Sequence, residues 1–279
     1  MKHVAKRKPQ RKTRPPAGSQ RPVKPPAEAR PSRDPGHWLW GRHAVLAALG
    51  NPKRRLRRLL LSEEAERRDG EEIARLLAGR ERAPQPESAR RDEIEDVLVS
   101  PSAVHQGYAL ETQPLSQPGI EEVANAGAGR RLLVCLDQAS DPANIGAVLR
   151  SAAAFGAAAV VTTRRHAPGE TGAMAKSASG AMECMPYVQV PNLAQTLESL
   201  KRQDYWCIGL ASEAGQSIAE ASLPERIALV MGAEGQGLRR LTRERCDLLL
   251  SLPTPGPLKE LNLSVATAVA LYELLAREH

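Results

Sequence analysis

From Arg131 onward the chain alternates short apolar runs with helix-like stretches, and that alternation constrains the fold more than any other feature. The runs RLLVCLDQ, AAAVVTTRR, YWCIGLAS, RIALVMG and LLLSLP are each about one strand long, with no polar residue at every second position. Between them lie helical patterns at 142–155 and in NLAQTLESLKRQ, and a last helix from about 264 to 277. Strands apolar throughout are buried on both faces, which calls for a parallel sheet with helices on each side. The pattern predicts an α/β domain over residues 131–279.

A smaller unit precedes it. In HWLWGRHAVLAAL (37–49), Gly41 stands before a helical pattern of Val45, Leu46 and Leu49. RLRRLLLS (55–62) reads as a strand and EEIARLLAGRE (71–81) as an amphipathic helix. A break with two prolines, APQPES (83–88), follows; IEDVLVS (94–100) and HQGYALET (105–112) complete a second, small α/β domain over 37–112. Residues 113–130 are rich in Gly, Pro and small side chains and read as the connection.

Charge is concentrated at the N-terminus. Residues 1–36 carry eleven Lys or Arg against Glu28 and Asp34, and eight of the 22 prolines. The whole chain is +7, so the remaining residues are slightly acidic. A tail of this composition buries too little apolar surface to offset its ordering entropy, and is expected to be disordered. It reads equally as a loose RNA-phosphate contact and as a solubilising extension. No run of 18 apolar residues occurs, so no membrane span is expected, and without a signal peptide the expected location is cytoplasmic. Cys135, Cys184, Cys207 and Cys246 form no CxxC pair, and are expected to be reduced and to bind no metal. KRRLRR (53–58) reads equally as an RNA-backbone contact and as a solvated face; His43, His105 and His166 are isolated.

Three strings in the larger domain set polar side chains beside glycines or helix starts: DPANIGAVLRSAAAFG (141–156), LVMGAEGQGL (229–238) and LPTPGPLKELNLSVA (252–266). In the first, Asp141 and Pro142 open a helix as N-cap acceptor and first-turn proline. Ile145, Val148, Leu149, Ala152 and Phe155 supply its buried face, and Gly146 admits a close approach by backbone or ligand. Asn144 and Arg150 stand about 240° apart on that helix, so a site using both wraps round the helix end or takes Asn144 from a loose first turn. Alone, Asn144 also reads as a capping amide and Arg150 as a solvated charge. In the second string a buried strand runs into glycines, which lets a ligand lie against main-chain amides at the carboxyl edge of the sheet. Glu234 in that turn is suited to orient a hydroxyl or take a proton; a plain turn is the rival reading. In the third, Asn262 and Ser264 stand at a helix start, where N-capping accounts for them equally well.

The order and spacing of these strings resemble the signature motifs of the SpoU (TrmH) family of RNA 2′-O-methyltransferases, and within it the 23S rRNA guanosine group. GRHAV and HQGYAL resemble the family's N-terminal RNA-binding domain, and KSASGAMECMPYVQVPNLAQTL and MGAEGQGLRRLTRERCD also read along with it. The resemblance spans residues 37–279. It implies a SPOUT α/β fold with a deep trefoil knot, S-adenosylmethionine as cofactor, an RNA substrate and a homodimer with packed catalytic domains. It further implies a cofactor pocket at Gly232, Leu252 and Leu261, with Gly235 and Ser264, and active-site positions Asn144, Arg150, Glu234 and Asn262. A guanidinium is a poor base, so Arg150 is assigned to gripping phosphate and ribose. The proton acceptor is left among the target phosphate, Glu234 and water. Thr254 and Glu260 stand where the family usually has Met and Ser. A tRNA ribose methyltransferase and a non-catalytic ribosome-assembly factor are the alternatives. The extra N-terminal domain argues against the first, and retention of the four polar residues against the second.

Overall fold

The computed structural model describes residues 36–98, 103–127, 129–258 and 260–276; the basic tail, up to residue 35, lies outside them. The first lobe runs β1 (His37–Trp40), α1 (Arg42–Gly50), β2 (Leu56–Leu61), α2 (Glu63–Ala78), β3 (Pro86–Ser88), α3 (Arg91–Val97) and β4 (Tyr108–Thr112). Its mixed sheet has the order β1-β4-β2-β3, antiparallel except for β2 with β3. Helix α2 starts eight residues earlier than the apolar pattern suggests. Ser62 caps it by accepting from the Ala65 N–H at 3.2 Å, and Glu63, Glu64 and Glu66 fill the first turn. Its buried stripe, Ala65, Asp69, Ile73 and Leu77, includes a carboxylate, which broke the apolar period in the sequence.

The segment 113–130, expected to be a connection, contains a further helix, α4 (Ile120–Asn125). Val123 and Ala124 on it are buried against the second sheet. The Ala124 carbonyl accepts from Tyr205 Oη at 3.0 Å and Arg226 Nη2 at 2.7 Å.

The second lobe runs β5 (Arg131–Leu136), α5 (Pro142–Ala154), β6 (Ala159–Thr163), α6 (Gly172–Ala178), β7 (Tyr187–Val190), α7 (Leu193–Lys201), β8 (Trp206–Leu210), β9 (Arg226–Met231), α8 (Arg240–Glu244), β10 (Leu248–Leu250) and α9 (Leu263–Leu271). A π turn, Tyr272–Ala276, ends the described chain. Six parallel strands lie in the order β10-β8-β9-β5-β6-β7, with apolar clusters on both faces. The alternation of apolar runs foretold this sheet, although α6, β7 and α8 escaped it. Helix α6, GAMAKSA, has almost no large apolar residue, because it packs flush on α5. A Cβ on Gly146 would lie 2.4 Å from the Met174 carbonyl oxygen. Close helix packing, and not ligand contact, is what that glycine permits.

The lobes meet through a buried ion cluster. Arg54, fully buried, donates to Glu183 Oε1 at 2.5 Å and Oε2 at 3.2 Å, to Glu170, and to the Gln113 carbonyl at 3.2 Å. His37 and the Leu115 N–H also reach Glu170, each at 3.0 Å. The KRRLRR stretch is therefore neither reading in full. Arg54 is structural, and Arg58 pairs with Glu87 at 2.6 Å. Cys135 and Cys207 are buried free thiols of β5 and β8.

Candidate functional site

At the carboxyl edge of the parallel sheet, three loops converge between β5, β8 and β9. The turn after β9 is held tight: the Gly237 N–H donates to the Ala233 carbonyl at 2.9 Å, and Gly235 and Gly237 take positive φ. A Cβ at Gly232 would sit 2.2 Å from the Gly237 carbonyl carbon, so only glycine lets this turn close on itself. Its exit is fixed by Asp137, buried at the end of β5, which accepts from the Arg239 main-chain N–H at 3.0 Å and from its guanidinium at 2.6 and 2.8 Å. Sequence reasoning missed both residues. A carboxylate ending an otherwise buried strand was the available signal.

Glu234 protrudes from this turn and gathers the site. Its Oε1 accepts from Asn144 Nδ2 at 3.0 Å, from Asn262 Nδ2 at 2.7 Å and from the Leu263 N–H at 3.1 Å. Asn262 Nδ2 also reaches Asn144 Oδ1 at 3.0 Å. Residues 90 and 28 positions from Glu234 thus meet on one oxygen. Both readings of Asn262 hold at once. Its Oδ1 caps α9 by accepting from the Ser264 and Val265 N–H groups at 2.9 and 3.4 Å, while its Nδ2 holds Glu234. Asn144 is not the cap of α5; Asp141 is, accepting from the Ala143 and Asn144 N–H groups at 3.2 and 3.0 Å.

Beside this cluster opens a cleft of about 440 Å3, within the usual range for small-molecule sites. Gly232, Gly235, Leu252 and Leu261 line it, with Glu234, Asn262, Thr254 and Glu260. Arg243, paired with Glu213, lies on the same lining, and that guanidinium's hydrogen bond holds the Glu213 carboxyl below the usual range. Burial pushes the Cys207 and Cys246 thiols up to about 12, which leaves no thiolate near the cleft at neutral pH.

Two expected site residues lie elsewhere. Ser264 does not line the cleft; its hydroxyl donates to Asn262 Oδ1 at 2.6 Å, completing the cap. Arg150 is six residues beyond Asn144 on α5, about 9 Å along the axis and on another face. It is exposed, makes no hydrogen bond or ion pair with the described residues, and is absent from the cleft lining. It shares an exposed stripe of α5 with Ala143 and Ala154; α5 packs on α9, whose Val265, Val269 and Tyr272 are 45–55% exposed.

Residues 131–272 match the SpoU rRNA Methylase family, and residues 38–118 match the RNA 2′-O ribose methyltransferase substrate binding domain. The 23S rRNA (guanosine-2′-O-)-methyltransferase RlmB of Pseudomonas putida is 40% identical over 238 residues, covering 84% of this chain and 94% of that protein. The RlmB of Xylella fastidiosa (strain Temecula1) is 36% identical over 247 residues, 85% of this chain and 94% of that protein. Among solved structures, the SpoU methyltransferase AviRb from Streptomyces viridochromogenes, in complex with AdoMet, shares the fold at a TM-score of 0.72 and 20% identity. That likeness covers 86% of this chain and 89% of AviRb. The AdoMet-bound rRNA methyltransferase from Sinorhizobium meliloti gives 0.67 at 17% identity, over 85% and 86% of the two chains.

Proposed function

The chain belongs to the SpoU rRNA Methylase family, and from that premise we propose that it methylates the ribose 2′-hydroxyl of a guanosine in 23S rRNA, using S-adenosylmethionine. The observation that carries the proposal is the convergence of Asn144, Glu234 and Asn262 beside a cleft of cofactor size. The residues present fit the cofactor. Leucines 252, 261 and 263 offer apolar walls, the 232–238 turn offers main-chain amides, and both charge signs are at hand for an amino-acid end. When bound, S-adenosylmethionine supplies an activated sulfonium methyl.

The work left to the protein is to position a ribose hydroxyl and accept its proton. Glu234 is built for that. Its Oε1 is saturated by three N–H donors, while Oε2 has no partner among the described residues, and the residue is exposed. Asn144 and Asn262 hold the carboxylate so that this free oxygen points one way, and we assign it as the proton acceptor. The first lobe, which matches the substrate-binding domain, would hold the RNA.

Arg150 keeps its assignment to the phosphate and ribose of the target, with a changed location. We infer a homodimer packed through the exposed α9 face and the alanine stripe of α5, which would carry Arg150 to the cleft of the other protomer. An exposed guanidinium with no partner among the described residues, on a helix that packs against α9, supports this. The deep knot belongs to the same reading, supported by the 210–213 and 231–238 segments, Leu252, Thr254 and the 260–263 segment closing round one cleft. No described helix is long and apolar enough to cross a membrane, and no described group of His, Cys, Asp and Glu suits a metal. We place the reaction in the cytoplasm, with the rRNA.

The test is methyl transfer in vitro, from labelled S-adenosylmethionine to 23S rRNA from cells lacking the activity, with the product mapped for 2′-O-methylguanosine. Label in one guanosine of 23S rRNA is expected. Label only in tRNA would move the substrate, and cofactor binding without transfer to any RNA would favour an assembly factor.

A further inference from the structure

Glu213, Glu234 and Glu260 line the cleft against a single guanidinium, Arg243, among the described residues. Two of the three carboxylates are committed. Glu213 is paired with Arg243, and Glu234 Oε1 is held by three N–H groups. Glu260 bonds to no described residue. It stands two positions before Asn262, at most about 7 Å of chain, so its charge stands near the Glu234 end of the cleft.

S-adenosylmethionine has an unusual charge balance. Its α-carboxylate and α-ammonium cancel, and the sulfonium leaves a net +1 that the demethylated product, S-adenosylhomocysteine, lacks. An uncommitted carboxylate within a Debye length of the sulfonium therefore acts on donor and product differently. We propose that Glu260 is a specificity-determining residue of this cleft, favouring the charged donor over the neutral product. The inference rests on the cofactor reading above. A preference for the charged donor also makes product exchange easier after each turnover.

Calorimetry on the full chain tests this with three ligands: S-adenosylmethionine, S-adenosylhomocysteine and sinefungin, in which an ammonium replaces the sulfonium without a transferable methyl. Glu260→Gln is expected to weaken S-adenosylmethionine and sinefungin about threefold more than S-adenosylhomocysteine, the size of a Coulomb effect at an exposed site. Glu260→Asp should retain most of the preference, and raised salt should shrink it in the wild type. Equal weakening of all three ligands would mean a merely structural residue and overturns the proposal, as does no change in any. A wild-type protein that binds none of the three overturns the cofactor reading itself, and this proposal with it.

Discussion

Arg54 and Glu234 are each gripped by partners from distant parts of the chain, in opposite surroundings. Arg54 has no exposed side-chain surface, and its partners Glu170 and Glu183 are 5% and 8% exposed. Burial alone would lower its pKa, but the two carboxylates hold it above the ordinary value. Its guanidinium makes four hydrogen bonds among the described residues, all to protein acceptors. Glu234 is exposed, and its partners take up one oxygen only. A polar cluster that is sealed and saturated fixes one lobe against the other. One that is held on a single side and left open on the other can take a substrate.

Breaking the sealed cluster should give the largest effect. Arg54→Ala strands two buried carboxylates and is expected to cost about 3–5 kcal/mol, read by chemical denaturation. A loss below about 1 kcal/mol would mean that water already reaches Glu170 and Glu183. The open cluster should respond in rate instead. Glu234→Gln keeps an acceptor for the Asn262 and Leu263 donors but removes the base, so methyl transfer should fall by about 100-fold or more. Stability should stay within about 1 kcal/mol of wild type. Near-normal turnover would hand the proton to the target phosphate or to water, the two acceptors left open by the sequence.

A third cluster sharpens the contrast, because it is a carboxylate like Glu234 but sealed like Arg54. Asp69 accepts from Arg42 Nε at 2.8 Å and Nη2 at 2.7 Å, and from the Tyr108 hydroxyl. The Arg42 hydrogen bonds and that of Tyr108 outweigh burial and hold its carboxyl at about 2. A carboxyl depressed in the folded state contributes stability above its unfolded pKa, near 4, and loses it as pH falls toward 2. Wild type and Asp69→Asn should therefore differ in denaturation midpoint above pH 4 and converge between pH 4 and 2. Methyl transfer at neutral pH should change little. A gap that is constant down to pH 2 would mean that Asp69 acts through its shape and not its charge.

The second lobe was legible because its strands are apolar enough to betray burial on both faces, and because its caps obey local rules at Asp141 and Asn262. Elements whose stability comes from tertiary contact were not. Helix α6 is built of small residues that let α5 approach, and α4 hides in a segment whose Gly and Pro content speaks for a linker. In the site, residue types close to glycine turns and helix starts pointed to Asn144, Glu234 and Asn262. No one-dimensional pattern says on which side of α5 the cleft opens. Arg150 was grouped with the cluster by motif, although its helical phase already set it apart from Asn144.

Asn262 serves both the fold and the open site, which makes it the finest test of the distinction. Its Oδ1 serves the fold by capping α9, and its Nδ2 serves the site by holding Glu234. Asn262→Ala removes both and is expected to cost about 1 kcal/mol of stability together with a fall in methyl transfer. Asn262→Ser keeps a capping oxygen but has no amide to offer Glu234. Its stability should return to within about 0.5 kcal/mol of wild type, while its turnover stays as low as that of the alanine variant. If serine restores both, the cap alone positions Glu234 through the Leu263 N–H, and the Asn262 amide adds nothing to the chemistry.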